Sequence, residues 1–235
     1  MLSPPSAVWY AETVEHDAIA GRLRAITEDE RACARAFRNV ADRNRYMTGR
    51  LLVRLALSAA VANRVAPSAW RFGLDRASKP RVAPHLPQVH FNLAHAGRMA
   101  VVVTDAARPV GVDVERIDGA PFDLPALVLS AREKETLDRC PPETRNREFL
   151  KLWTLKEALA KRSGEGIGLN LAAVEPDWRV GAPAQRIAMR DAVLETRAIG
   201  MPDGVYQVSV ALAPGTREVS WNRVDLLVGQ LQPGI

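Results

Sequence analysis

The chain is 235 residues long, which leaves room for one large domain or two small ones. Hydrophobic residues make up 47% of it and charged residues 25%, a balance that excludes a disordered chain or a fibre. The formal net charge of +5 suits an anionic partner such as nucleic acid, phosphate or an acidic protein. Two cysteines, Cys33 and Cys140, are too few for a disulfide framework or a four-ligand zinc site. The N-terminal stretch shows neither the basic region nor the apolar core of a signal peptide, and the apolar run from Leu51 to Ala62 is broken by Arg54. A soluble, cytoplasmic protein with no membrane segment is expected. Only five of the 32 basic residues are lysines, so each lysine stands out.

In chain order, Thr27 followed by Glu30 is a capping box that opens a helix running through Val40. Asp42 starts a second helix, with Leu51, Leu52, Leu55 and Ala59 on one side. Residues 66–87 are rich in Pro, Ser and Arg and form loop with a short strand near Trp70 to Phe72. Strands follow from His90 to Leu93, from Met99 to Val103 and from Val110 to Glu115. The pattern then restarts. Ser130 and Glu133 form a second capping box, a longer helix runs from about Asn146 to Lys161, and strands are expected from Ile187 to Ala198, Val205 to Leu212 and near Val219 to Trp221. Two halves of helices followed by strands predict a duplicated α+β unit with its seam near Pro109.

Four groups of residues carry chemistry. Asp113 and Glu115, two apart on a strand, share one face while Val112 and Val114 take the other. That face is either a pair of hard oxygen ligands for Mg²⁺ or an ordinary polar side of a half-exposed strand. Trp153, Glu157 and Lys161 lie along one helix face, as a functional carboxylate–ammonium pair or as a surface ion pair. Gly164, Gly166 and Gly168 follow a helix rather than a strand, so they read as a helix C-cap and return, not as a phosphate loop. His90 and His95 fit no common zinc spacing, and His95 ends a strand before a small-residue turn whose N–H groups suit an anion.

The order of these elements is more specific than any one of them. Lys79-Pro80, Phe91 to His95, Gly111 to Glu115, Ser130 to Glu133 and Trp153 to Lys161 together resemble the Sfp-type 4′-phosphopantetheinyl transferases. The resemblance extends from about Thr27 to Leu212. It implies an α+β fold of two pseudo-twofold-related α/β halves acting as a monomer. Residues 1–109 would form the side that takes the coenzyme A adenosine and its phosphates. Residues 110–235 would carry the metal ligands, the catalytic helix and the C-terminal strands. It further implies Mg²⁺, or Mn²⁺ in its place, held by Asp113, Glu115 and Glu157. Lys156 and Lys161 would lie near the pyrophosphate, Lys79, Pro80 and His95 near the 3′-phosphate end, and Arg45 at a further phosphate. Glu157 and Lys161 are the catalytic candidates, with Glu133 or a water as the alternative base. Ala94 departs from the serine of many relatives, which leaves only backbone for that contact. The implied partners are coenzyme A and an acidic acyl or peptidyl carrier protein, without nucleic acid. A Mg²⁺-dependent nucleotide phosphohydrolase and a basic nucleic-acid-binding protein are the competing readings.

Overall fold

An apolar run with no polar interruption can be a strand only where both of its faces are covered, and the run from Met99 to Val103 opens such a strand, Met99–Asp105 (β5), buried at every position. In a computed structural model, residues 6–15, 24–74, 80–118, 128–164, 170–227 and 231–233 are described. The chain divides into two compact units, Met1–Pro109 with Arg217–Ile235, and Val110–Thr216.

In the first unit, β5 pairs antiparallel with Ser6–Glu12 (β1) on one side and with His90–Ala96 (β4) on the other. Val219–Val224 (β10) runs parallel to β1, and Leu231–Pro233 (β11) completes a five-stranded sheet. Phe72–Leu74 (β2) and Pro80–Val82 (β3) form a separate two-stranded ribbon. Helices Glu28–Ala36 (α1) and Val40–Ala60 (α2) accompany the sheet, with α2 packed on β5, β1 and β4. Leu51, Leu52 and Leu57 of α2 enter a core shared with Trp70, Val102 and Ala100. The Thr27 capping box forms as expected, and its Glu30 also takes Arg50 and the buried Arg54. Arg50 and Arg54 therefore turn toward Glu30 rather than into solvent.

In the second unit, Gly111–Arg116 (β6), Ala184–Ala188 (β7), Val193–Met201 (β8) and Gly204–Leu212 (β9) form an antiparallel sheet in the order β6-β9-β8-β7. Ala131–Asp138 (α3) opens on the second capping box, Ser130 with Glu133. Pro142–Ser163 (α4) packs against β6, β9 and β8, and it ends at Gly164, whose φ of 85° is the left-handed cap glycine allows. Leu155 and Ala158 of α4 meet Leu194 and Ala211 of the sheet.

Several expectations shift. β1 had no counterpart in the sequence reading, and the helix through Val40 is two helices divided at residues 37–39, where Asn39 caps α2. The expected strand from Ile187 to Ala198 is a hairpin, β7 and β8. The last strands do not stay with the second half: β10 returns to pair with β1 in the first sheet, where Trp221 and Val224 are buried.

Gly111 fixes how near α4 comes to β6. A Cβ placed there would lie 2.1 Å from the Ala158 carbonyl oxygen and 2.5 Å from the Arg162 nitrogen, both backbone atoms that cannot swing away. Gly111→Ala should therefore cost more than 2 kcal/mol in urea denaturation, as overpacking does, while Gly73→Ala, with nothing within 4 Å, should be neutral. Equal midpoints for the two variants would contradict this packing.

Candidate active site

The alternation of β6 sends Gly111, Asp113 and Glu115 to one face and Val112 and Val114 to the other. α4 lies on the first face, and its Trp153, Glu157 and Lys161 recur every fourth residue. Lys161 Nζ sits 2.6 Å from Asp113 Oδ1. The other carboxylate oxygen, Oδ2, is buried and has no hydrogen-bond partner.

The electrostatics follow from crowding three carboxylates under one helix. Burial lifts the Asp113 carboxyl above the usual range, and the Lys161 ammonium opposes the lift. Glu115 is pushed up to about 7, first by burial and then by the Asp113 charge, with a smaller repulsion from Glu157. The Trp153 side chain counters this as a hydrogen-bond donor to Glu115. Glu157 is also raised, by burial and by Asp113. All three carboxyl groups thus hold their protons more tightly than they would in water.

Oxygen ligands of this kind match a hard dication, and the orphaned Asp113 Oδ2 is an acceptor that a cation would use. The trio does not converge to ligating distance as it stands: among the described residues no three His, Cys, Asp or Glu side chains already form a metal-holding group. The donor chemistry fits a hard cation.

Lys156 is engaged away from the carboxylate trio. The sequence pattern places it near the pyrophosphate, but its side chain is fully buried and Nζ donates to Glu133 Oε2 at 2.5 Å and to the carbonyls of Val128 at 2.9 Å and Leu171 at 2.8 Å. An ammonium has three donors, and all three are spent. Burial pulls its pKa down while Glu133 opposes that. Glu133 in turn accepts from the Ser130 N–H with the same oxygen. Both residues tie α3 to α4.

In the first unit, His95 is exposed on β4 and pairs in register with Ala100 of β5. The turn that follows uses Gly97 at φ 48°. Arg45 on α2 donates to the Gly97 carbonyl at 3.2 Å and pairs with Asp42 at 2.9 Å, so Arg45 and the His95 turn are brought together. Ala94 is buried. Pro80 starts β3, which packs beside β4. Lys79 lies outside the described residues.

Sequence reasoning missed the donor role of Trp153 and a buried hydroxyl chain behind the carboxylates, Thr154, Ser209 and Thr196. The visible signal was the alternation of Gln207 and Ser209 with Tyr206, Val208 and Val210, the same alternation as Asp113 and Glu115.

Two family models match, both described as 4′-phosphopantetheinyl transferase: the superfamily model over residues 109–210 and an N-terminal model over residues 9–107. Among curated relatives, a 4′-phosphopantetheinyl transferase of Bacillus subtilis is 32% identical over 149 residues, 63% of this chain and 65% of the relative. The phosphopantetheinyl transferase of Thraustochytrium is 35% identical over 193 residues, 72% of this chain and 65% of the relative. The transferase HetI of Nostoc is 29% identical over 170 residues, 68% and 70% of the two chains. The chain therefore spans a little under two thirds of the Bacillus and Thraustochytrium relatives. It belongs to the 4′-phosphopantetheinyl transferase superfamily.

The strut role of Lys156 has a direct check. Lys156→Met should destabilise the fold by roughly 3–5 kcal/mol in urea, since it strands a buried carboxylate. Adding Glu133→Gln should recover most of that loss. A single variant as stable as wild type would place the ammonium outside the interior.

Proposed function

We propose that this protein transfers the 4′-phosphopantetheine arm of coenzyme A to a serine of an acyl or peptidyl carrier protein, releasing adenosine 3′,5′-bisphosphate. The observation that carries the reading is the trio of Asp113, Glu115 and Glu157 with Lys161 at its edge, in a chain of this superfamily. Asp113, Glu115 and Glu157 would hold Mg²⁺, with Mn²⁺ as its substitute; bound there, the ion supplies neutralisation of the pyrophosphate charge. Lys161 adds a positive charge at the same place.

Phosphoryl transfer asks the protein for position, charge neutralisation and a route for one proton. Glu157, raised above the ordinary carboxylate range, is the base. It takes the proton of the carrier serine as the serine oxygen bonds to the phosphorus bearing the pantetheine arm. The bond from that phosphorus to the adenosine bisphosphate oxygen breaks, and its electron pair leaves with the nucleotide. Arg45 and His95, grouped at the Gly97 turn, and Lys79 and Pro80 would take the 3′-phosphate end. Lys156 supports α4 from behind and touches no substrate in this reading. Residues 1–109 would serve the adenosine end and residues 110–216 the chemistry. An acidic carrier domain as partner, monomeric action and a cytoplasmic location belong to the same proposal. Among the described residues no helix is long and apolar enough to cross a membrane.

Incubation with coenzyme A, Mg²⁺ and an apo-carrier protein should raise the carrier's mass by one phosphopantetheine. Glu157→Gln should keep coenzyme A binding within a few fold yet lower turnover roughly 10²–10⁴-fold. Hydrolysed coenzyme A beside an unmodified carrier would instead identify a nucleotide phosphohydrolase. No turnover, with salt-dependent retention of nucleic acid on a filter, would identify a nucleic-acid-binding protein.

A further inference from the structure

Behind the carboxylates four polar side chains, Thr154, Thr196, Gln207 and Ser209, have no measurable exposure. Buried polar groups of this kind are costly unless every one is satisfied. The Thr154 and Ser209 hydroxyls are 2.7 Å apart, Ser209 Oγ donates to Thr196 Oγ1 at 2.8 Å, and Gln207 Nε2 donates to the same Thr196 oxygen at 2.5 Å. Thr196 spends its single proton on the Val208 carbonyl at 3.2 Å, so it must accept from Gln207. That fixes which way round the amide lies. The nitrogen faces Thr196, and the oxygen is turned from it.

The Gln207 oxygen, Oε1, is buried and has no hydrogen-bond partner. An acceptor left so costs about 1–3 kcal/mol, so in an otherwise paired chain it needs a reason. Its position supplies one. Gln207 is the direct cross-strand neighbour of Glu115, and Ser209 that of Asp113, in the β6–β9 ladder. Directly opposed residues project to the same face with Cβ atoms about 4.5–5.5 Å apart. Two orphaned buried oxygens, Asp113 Oδ2 and Gln207 Oε1, therefore belong to neighbouring positions of one sheet face under α4.

We propose that Gln207 is a further residue of the cation site, its amide oxygen accepting a hydrogen bond from the hydration shell of the ion held by Asp113, Glu115 and Glu157. The inference rests on the cation reading above. Mg²⁺ keeps several of its waters when it binds protein, so it brings donors that this oxygen lacks. Thr196 is a positioning residue: it holds the amide and, through Ser209 and Thr154, ties that position to α4, which carries Glu157.

Mn²⁺ binding to the full-length chain, read from the electron paramagnetic resonance of the free ion, tests this without turnover. Asp113→Ala should abolish binding. Gln207→Met, similar in shape but without the oxygen, should weaken it roughly tenfold, while the melting midpoint of the metal-free protein is unchanged or raised. Thr196→Val, which releases the amide and leaves Gln207 in place, should weaken binding severalfold and serves as the second arm if Gln207→Met does not fold. Wild-type affinity in Gln207→Met or Thr196→Val, with binding lost in Asp113→Ala, overturns the role of Gln207 alone. No Mn²⁺ binding by wild type, or equal binding by all the variants, overturns the cation reading and this inference with it.

Discussion

The near contact of the α4 backbone with β6 at Gly111 governs the second unit. With no side chain at that position the helix can lie against the strand, and only then do the residues on the two elements meet. Lys161 reaches Asp113, Trp153 reaches Glu115 and Thr154 reaches Ser209, all from one helix face or its flank. A methyl group at Gly111 would separate these pairs together, since they share one rigid helix.

That closeness has an electrostatic cost. Three carboxylates are taken partly out of water beside one ammonium, and the two flanking glutamates respond by holding protons more tightly. Other buried charges in the same unit are handled differently. Lys151 lies against both oxygens of Glu148, and Lys156 against Glu133 with two carbonyls completing its shell. Those two ammonium groups are engaged, although Glu133 keeps one buried oxygen without a partner. The Asp113 cluster also has an unpaired buried acceptor, and there Glu115 and Glu157 crowd in beside it. Three of the five lysines lie on α4, and their ammonium groups pair with Glu148, Glu133 and Asp113.

Much of this was legible in the residues. The capping boxes at Thr27 and Ser130 mark helix starts because the motif satisfies orphan N–H groups locally. The alternation of Asp113 and Glu115 with two valines places both carboxylates on one face whatever the tertiary context. What stayed hidden depends on partners distant in the chain. β1 is a strand because β5 and β10 flank it, some 90 and 210 residues away. Lys156 and Glu157 are adjacent in sequence, yet one is sealed against α3 and the other belongs to the carboxylate cluster; a difference of 100° around a helix separates strut from site. Gln207 and Ser209 acquire meaning only once the ladder sets them opposite Glu115 and Asp113.

The central claim is that the face of β6 beneath α4 crowds three carboxyl groups together, partly shut off from water. The carboxyl carbon of Glu115, followed by nuclear magnetic resonance through a pH titration of the chelator-treated protein, reports on it directly. The account expects a midpoint near 7, because burial and the charges of Asp113 and Glu157 oppose ionisation. A midpoint in the ordinary carboxylate range, near 4.5, would mean that the three groups are neither crowded nor desolvated, and would contradict it.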